Sequence, residues 1–478
     1  MLKPLTVFVS GRFNILHPGH LRLFRSAKDF GERLVVAIES DRIAGAAAHL
    51  SEDLRLECVK SHSLVDEAFI ADEPVAETIR RLRPDIVVKG KEHETRHNSE
   101  LEALESYGGR LIFSSGETTF SSIDLIHKEF QNFDPSSINI PTAYLSRHFI
   151  GKHRLKDLIS HFARLKVCVV GDLIIDEYIT CEPLGMSHED PTIVVTPVNT
   201  TRFVGGAGIV AAHAASLGAS VKFFSVSGND VSRGYALDNL IAAGVDANLL
   251  MDESRPTTVK QRYRSKGKSL LRVSHLHQSA ISAELQLQLL SALEKAMENA
   301  DLLVFSDFNY GCLPQKLVDQ LVSIGKFRGV FLAADSQSSS QLGDISRFKG
   351  MDLITPTERE ARISTRNRED GLVVLADQLR TQAEAHNVLL KLGEEGLLIH
   401  AANNLDDSWL TDRVDALNRS PKDVAGAGDS LLISSAMALA CGATIWEAAC
   451  LGSLAAAVQV GRLGNTPISS KELLKELG

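Results

Sequence analysis

The chain has 478 residues, more than one hydrophobic core usually holds, so we expect two or three domains. Hydrophobic residues make up 44% of the chain and charged residues 23%, as in a globular protein. The net charge of −9 argues against a broad nucleic-acid interface, although local cations could still hold a small anion. We find no apolar run of the roughly 18 residues that a membrane span needs, and no signal-peptide pattern. The six scattered cysteines fit buried, reduced thiols in the cytoplasm.

The first part of the chain alternates strand-like and helix-like segments. Apolar, β-prone segments occur at 5–11, 33–40, 66–71, 84–90 and 110–116. Between them, residues 18–31 and 74–83 have apolar side chains at helical spacing, with proline near the start of each. This alternation predicts a parallel sheet that is covered by helices on both faces.

Two histidines follow the first predicted strand, in "GRFNILHPGH" at positions 11–20. A helix that begins here would offer backbone N–H groups to an anion, and Gly19 would leave room for a phosphate chain. The imidazoles of His17 and His20 could then donate to phosphate oxygens and stabilise negative charge at a reacting phosphorus atom. The spacing taken alone also fits metal ligands or surface histidines.

In this context the motif resembles the cytidylyltransferase-type nucleotidyltransferases with their HxGH signature. The similarity extends over about residues 5–130 and includes "RPDIVVKGKEHE" and "GETTFSSIDLI". It implies a Rossmann-like domain that binds a nucleoside triphosphate, ATP or CTP. The site residues that it implies are Phe13 and the catalytic His17 and His20, with Lys89, Ser121 and Ser122 at the phosphates. The lysine and Arg-Pro that clamp phosphate in the relatives are replaced by "SDRIAGAAAHLSEDLRLE", in which Arg42 or Arg55 could substitute.

A break in the pattern separates this block from a second one. Residues 131–163 begin with turn formers and end as an amphipathic helix, and a new first strand follows in "LKVCVVGDLIIDEYI". We therefore predict a nucleotidyltransferase domain at 1–133, a linker at 134–163 and a second α/β domain at 164–478.

The second domain carries its strongest motif near the C-terminus, "DVAGAGDS" at 423–430. Gly426, Ala427 and Gly428 have little or no side chain, so their N–H groups could converge on one anion as a helix begins. Asp429 would lie beside that anion and accept the proton of an attacking hydroxyl. Read alone, the segment also fits a glycine-rich helix start with a capping aspartate.

Together with "GDLIIDEYI", "RFVGGAGIVAAHAASLGA" and "LITPTEREA", this motif resembles the ribokinase-like (PfkB) sugar kinases. The resemblance implies a doubly wound sheet with a small β-lid built from parts of 174–203 and 255–275. It also implies residues for each ligand: Asp172, Gly205 and Gly206 for the sugar, Lys260 and Arg262 for a sugar phosphate, Gly393 and Gly396 for the adenine nucleotide, and Glu360 for Mg²⁺ through water.

Three positions depart from the kinase pattern. Ile209 stands where the relatives have a sugar-contacting asparagine, and Thr357 replaces the asparagine of their Asn-x-x-Glu motif. The relatives' "DPK" reads "DSQ" at 335–337, so a lysine is missing. We expect a working kinase with a changed sugar, because Asp429 and its glycines remain.

The pair of domains is similar to the family of bifunctional enzymes of ADP-heptose synthesis, with the domain order reversed. The resemblance implies an ATP-dependent kinase that makes a sugar 1-phosphate and a transferase that joins it to a nucleotide, both with Mg²⁺. The product would be a nucleotide-activated, heptose-like sugar for surface polysaccharide, made by a cytoplasmic homodimer with no nucleic-acid or membrane partner. Two alternatives stay open: only one half is active, or the chain is a non-catalytic nucleotide or sugar sensor.

Overall fold

We describe the protein from a computed structural model of the chain. The described residues are 5–14, 16, 18–45, 48–90, 98–114, 138–187, 190, 192–265, 268–337, 343–401 and 410–478. The chain divides into two compact units, residues 1–135 with 367–375, and residues 136–366 with 376–478.

The first unit is built on a parallel sheet with helices between its strands, as predicted. Its strands are β1 (Thr6–Gly11), β2 (Arg33–Glu39), β3 (Glu67–Ala71), β4 (Ile86–Gly90) and β5 (Arg110–Ser114). They lie in the order β3-β2-β1-β4-β5, and every neighbouring pair is parallel. The helices are α1 (Pro18–Asp29), α2 (Asp41–Ala44), α3 (Glu52–Lys60), α4 (Val75–Leu82) and α5 (Ser99–Glu105).

Both faces of this sheet are buried, because the middle positions of its central strands are a run of consecutive apolar residues. Val7 and Val9 of β1 belong to one buried cluster, and Phe8 between them belongs to another. Successive side chains of a strand point to opposite faces, so the two clusters are the two layers between sheet and helices.

The second unit contains a large, mostly parallel sheet and a smaller one. Its strands are β6 (Lys166–Gly171), β7 (Leu173–Met186), β8 (Ile193–Gly206), β9 (Ser220–Ser227), β10 (Val245–Met251), β11 (Thr258–Ser265), β12 (Lys268–His275), β13 (Leu302–Asp307), β14 (Phe331–Ser336), β15 (Leu353–Ile354), β16 (Asn387–Lys391), β17 (Leu397–His400) and β18 (Thr411–Val414). The large sheet has the order β10-β9-β6-β13-β14-β15-β16-β17-β18, with the last two pairings antiparallel. The small sheet has the order β12-β11-β7-β8 and is the predicted lid.

The helices after β5 are mostly packed onto the large sheet. They are α6 (Thr142–Arg147), α7 (Lys152–His161), α8 (Ala207–Ser216), α9 (Val231–Ala242), α10 (Ala283–Ala296), α11 (Gln315–Arg328), α12 (Glu358–Thr365), α13 (Leu372–Ala383), α14 (Ala427–Ala440), α15 (Ile445–Val460) and α16 (Ser470–Leu477). Tyr144, Leu155 and Phe162 are buried in the core of the second unit. The described part of the segment at 134–163 therefore adds a packed helical layer to this unit, while the domain limits that we proposed stay predictions.

Two helices of small apolar residues form the centre of the second unit. In α14 and α15 nearly every residue is buried, and a Cβ atom on Gly452 would lie 2.1 Å from the Ser435 hydroxyl oxygen. This close packing fixes the N-terminus of α14, where the conspicuous glycines lie. In the part of the chain that the structure describes, every helix is too short or too polar to span a bilayer.

Candidate active sites

A cavity of about 1010 Å³ in the second unit brings most of the predicted kinase residues together. It is lined by the lid strands β7 and β11, the end of β16 and the start of α14. A cavity of this size accommodates a sugar phosphate and a nucleotide. The sequence-predicted residues in its wall are Gly206, Lys260, Arg262, Glu360, Gly393, Gly396, Gly426, Ala427, Gly428 and Asp429.

Asp429 lies in the first turn of α14, with 6% of its surface exposed. Burial raises the pKa of its carboxyl from 3.8 to about 7, and the nearby charge of Asp335 adds to the effect. The Gln337 side-chain amide donates to Asp429 Oδ1 at 3.1 Å. A carboxylate with this pKa, held in place at a cavity wall, is suited to accept a proton near neutral pH.

The small residues before Asp429 are required by the geometry. Gly426 has φ +76°, a left-handed conformation that favours glycine, and a Cβ there would meet Asn465 Oδ1 at 2.6 Å. A Cβ on Gly428 would lie 3.1 Å from Lys391 Nζ. The first N–H groups of a helix lack intrahelical acceptors, so the segment presents backbone donors to the cavity.

Lys391 is a buried cation that we did not predict. It ends β16, its side chain is 12% exposed, and its Nζ lies 2.8 Å from Asp335 Oδ2. Burial alone would lower its pKa, but the neighbouring carboxylates of Asp335 and Glu360 raise it overall. Lys391 is therefore a charged ammonium in the cavity wall. A lysine that ends an apolar strand was the one signal in the sequence, and it is also typical of a surface residue.

Glu360 and Thr357 form the N-terminus of α12. The Thr357 hydroxyl accepts from the Glu360 N–H at 3.3 Å, and Glu360 Oε2 accepts from the Thr357 N–H at 2.7 Å, a capping box. Both residues line the cavity. Threonine thus replaces the asparagine of the kinase pattern in a position where it caps the helix.

These residues fit Mg²⁺ that is held mainly by nucleotide phosphates. Among the described residues, no group of three or more His, Cys, Asp or Glu side chains is placed to hold a metal ion directly. Mg²⁺ keeps several waters and commonly uses one or two carboxylates with substrate phosphates. Glu360 is the carboxylate that would contact it, through water.

The lid side of the cavity carries an acid that sequence reasoning missed, Asp176. Its Oδ2 accepts from Asn465 Nδ2 at 3.1 Å, and its Oδ1 lies 3.4 Å from Arg262 Nη2. A Cβ on Gly205 would lie 2.3 Å from Asp176 Oδ2, so Gly205 leaves space for this carboxylate. The second aspartate of "GDLIIDEYI" was the one signal in the sequence that could have indicated Asp176.

Asp172 has a different place from the one we predicted. Its carboxylate accepts from the backbone N–H groups of Phe308, Tyr310 and Cys312 at 2.8, 3.2 and 3.2 Å. These hydrogen bonds hold the loop after β13. The Asp172 side chain is buried and does not belong to the wall of the cavity, whereas Asp176 does. Ile209 is likewise buried away from the cavity wall, where the amide present is that of Asn465.

Three cations of the lid face the cavity. Lys260 Nζ lies 5.0 Å from the centre of the Phe308 ring, and Arg262 lies over the Tyr178 ring. Arg262 is paired directly with Arg272 across β11 and β12, and both line the cavity. Like charges in opposite positions of a sheet are destabilising, so a bound anion would relieve their repulsion.

The first unit brings two residues of the predicted nucleotide site, Phe13 and His20, into contact. Phe13 is buried with φ +46°, and the centres of its ring and the His20 ring lie 5.0 Å apart in an edge-on contact. This strained backbone brings Phe13 against the start of α1. The predictions for His17, Ser121 and Ser122 lie outside the described residues.

The candidate phosphate cations of the first unit are engaged with protein groups. Lys89 Nζ donates to Glu100 Oε1 at 2.7 Å and to Asn98 Oδ1 at 3.0 Å. Arg42 pairs with Asp72. The guanidinium of Arg55 is completely buried and donates to the carbonyls of residues 12 and 50 and to the carboxylate of residue 41, so it supports the loops instead of facing a ligand.

The fold and the cavity define a carbohydrate kinase of the ribokinase type, preceded by a nucleotidyltransferase-type unit. Residues 164–472 match the pfkB family of carbohydrate kinases, and residues 8–113 match the cytidylyltransferase-like family. The chain therefore belongs to the pfkB carbohydrate kinase family and carries a cytidylyltransferase-like domain before the kinase domain. The predicted families, fold class and order of domains are confirmed.

Curated relatives agree with this assignment. The bifunctional protein HldE of Desulfatibacillum aliphaticivorans is 32% identical over 67% of this chain and 64% of its own length. That of Geotalea uraniireducens is 27% identical over 68% of this chain and 66% of its own length. The chain thus spans less than two thirds of these relatives.

Solved structures confirm the fold of the second unit. Phosphofructokinase-2 from Escherichia coli, in complex with substrates and products, superposes with a TM-score of 0.54 at 17% identity. Ribokinase from Arabidopsis thaliana, complexed with ribose and ATP, gives 0.52 at 20% identity. Each comparison covers 66% of this chain and 98% of the other.

Proposed function

We propose that the second unit transfers the γ-phosphoryl group of ATP to the anomeric hydroxyl of a sugar phosphate. The observation that carries this proposal is the buried Asp429, with its pKa of about 7, at the glycine-rich start of α14 in the cavity wall. The sugar oxygen forms a bond to the γ-phosphorus, the bond to the bridging oxygen breaks and ADP leaves. Asp429 takes the hydroxyl proton, while backbone N–H groups stabilise charge on the transferred group.

The lid supports a phosphorylated substrate. Lys260, Arg262 and Arg272 line the cavity; Asp176 offsets part of the charge of Arg262, and the remaining positive charge suits a phosphate group. Asp176 and Asn465 supply a carboxylate and an amide for sugar hydroxyls. Gly206 allows the chain to approach the sugar closely, since its φ is +58°.

The nucleotide would lie on the α14 side of the cavity. Gly393 and Gly396 have φ +63° and +95° and line the wall, which suits a tight turn against an adenine nucleotide. Glu360 would bind Mg²⁺ through water, and the ion would neutralise phosphate charge.

We further propose that the first unit joins the sugar 1-phosphate to a nucleotide from ATP or CTP. The sugar phosphate oxygen attacks the α-phosphorus, and pyrophosphate leaves. His17 and His20 would stabilise the transition state, with Phe13, Lys89, Ser121 and Ser122 as further nucleotide-binding residues. The product is a nucleotide-activated, heptose-like sugar for surface polysaccharide.

The kinase step is tested by ADP formation from Mg-ATP and a panel of sugar phosphates. Asp429→Ala should abolish the signal, because the proton acceptor is lost. The matched control is Asp238→Asn, an exposed aspartate on α9. Equal turnover in wild type and Asp429→Ala would contradict the kinase assignment.

The transferase step is tested by pyrophosphate release from ATP or CTP with the kinase product. His20→Ala should abolish the release, whereas His153→Ala, an exposed histidine of the second unit, should not change it. In a second candidate function, only the kinase half is active. This alternative is favoured because Lys89, Arg42 and Arg55 are paired with carboxylates of the protein itself. Kinase activity without pyrophosphate release from any nucleoside triphosphate would support this alternative.

The assembly is proposed to be a homodimer in the cytoplasm, where ATP is available. Apolar side chains of the lid strands are exposed: Leu184 is 66%, Ile193 60% and Val198 65% exposed. Exposed apolar groups in one sheet indicate an interaction surface. Light scattering should give twice the chain mass for wild type and a monomer for Ile193→Glu, and a monomeric wild type would contradict the dimer.

A further inference from the structure

We propose that Lys391 contacts the transferred phosphoryl group and stabilises its negative charge in the transition state. The proposal rests on the proposed kinase function and assigns a second catalytic residue to that site. Lysine at the end of a strand has no part in the sequence motifs described above, so the argument depends on its position in the fold.

The Lys391 ammonium lies beside the start of α14. Lys391 Nζ would lie 3.1 Å from a Cβ atom on Gly428, and so it reaches the first turn of α14 next to the proton acceptor Asp429. Its side chain keeps 12% exposure and belongs to the cavity wall. A phosphoryl group that is held by the backbone N–H groups at this helix start would meet the ammonium directly.

Carboxyl groups surround the Lys391 ammonium, but they leave it donors for a ligand. Asp335, Glu360 and Asp429 place three carboxyl groups around one lysine, and all three influence its pKa. An ammonium has three donors, and Asp335 takes one of them at 2.8 Å. Lys391 can therefore bind a phosphoryl oxygen without losing the partner that holds it in place.

Position 337, next to Asp429, holds a glutamine in this chain. Gln337 is neutral and directs its amide to Asp429 Oδ1, so this residue supplies no positive charge beside the acceptor. A lysine placed at 337 would reach the same region. The positive charge at the reacting group is thus supplied from β16 in this chain.

The test compares Lys391→Met and Lys391→Arg with wild type in the ADP assay. Loss of one transition-state donor typically reduces kcat about 100-fold or more, so we expect that reduction for Lys391→Met, with KM for the sugar phosphate within about threefold of wild type. Lys391→Arg should keep more activity. The control Lys316→Met removes an exposed lysine on α11 and should be silent.

Two further variants separate catalysis from charge compensation. Asp335→Asn/Lys391→Met removes both members of the buried pair, so it should fold while its kcat stays low. Gln337→Lys/Lys391→Met returns a cation to the site and should recover part of the rate. Restored activity in the first double variant, or a kcat for Lys391→Met within threefold of wild type, would overturn the proposal.

Nucleotide binding keeps the proposal testable if no sugar is turned over. Calorimetry should show that Lys391→Met loses about tenfold in the preference for Mg-ATP over Mg-ADP, because only ATP carries the group that the lysine contacts. An unchanged preference would overturn the assignment of Lys391 alone. If the wild type forms no ADP that depends on Asp429, the kinase function is refuted. If the wild type binds no ATP, both the kinase function and the role of Lys391 are refuted.

Discussion

Asp429→Asn should stabilise the second unit while it abolishes kinase activity. The carboxyl has a pKa of about 7 in the folded chain and an ordinary value of 3.8, so folding favours its protonated form. Its contribution to stability is therefore lost as the pH rises from about 4 through 7. Asparagine carries no charge and avoids this loss, and its oxygen can still accept from Gln337.

The size of the effect follows from the pKa difference. Each unit corresponds to about 1.4 kcal/mol, so the variant should gain about 2 kcal/mol over wild type at pH 5 and about 4 kcal/mol at pH 8. The difference between the two pH values, roughly 2 to 3 kcal/mol, corresponds to about 4 °C in Tm for a unit of this size. Wild-type kcat/KM should rise over the same range, because the ionised carboxylate is the active form.

Urea unfolding at pH 5 and pH 8, followed by tryptophan fluorescence, measures this effect. Trp446 is buried in the core of the second unit, so the change in its fluorescence follows the unfolding of that unit. Asp238→Asn should show the same stability difference from wild type at both pH values. If Asp429→Asn also showed a difference that does not change with pH, the desolvation argument for Asp429 would be refuted.

Two other substitutions test packing that supports the sites. Arg55→Met removes three hydrogen bonds from a buried guanidinium, so the first unit should lose about 3 kcal/mol in thermal unfolding. Arg33→Met, which removes an exposed ion pair, should cost less than about 1 kcal/mol, and equal losses would contradict the argument. Gly205→Ala places a Cβ 2.3 Å from Asp176 Oδ2 and should raise KM for the sugar substrate about tenfold. Gly234→Ala, with nothing within 4 Å, is its control, and an unchanged KM in Gly205→Ala would show that Asp176 does not bind the sugar.

The parts of this molecule that sequence predicts well are those in which one segment carries the signal. Parallel strands that are buried on both faces are continuous apolar runs, so β1, β2 and β4 were recognisable from their own residues. The start of α14 was recognisable because its small residues adjoin an aspartate within a single turn.

The parts that sequence missed depend on residues that are distant in the chain. Lys391 and Asp335 are 56 positions apart, and Asn465 and Asp176 are 289 positions apart. No local pattern links either pair, because the contact exists only once the sheets are assembled. The contacts of Asp172 could not be predicted for a related reason: a strand-end aspartate can face a ligand or brace the next loop, and the sequence is the same in both cases.

The distribution of charge in the cavity favours one orientation of the proposed sugar phosphate. The lid side carries Lys260, Arg262 and Arg272, whereas near the start of α14 the carboxyl groups of Asp335, Glu360 and Asp429 surround Lys391. A phosphorylated sugar that entered with its phosphate toward Asp429 would place its negative charge beside the carboxyl groups there, at an electrostatic cost. The favoured orientation directs the existing phosphate to the lid arginines and the far end of the sugar to Asp429. This polarity favours phosphorylation of a hydroxyl at the end of the sugar opposite the existing phosphate, as the proposed anomeric phosphorylation requires.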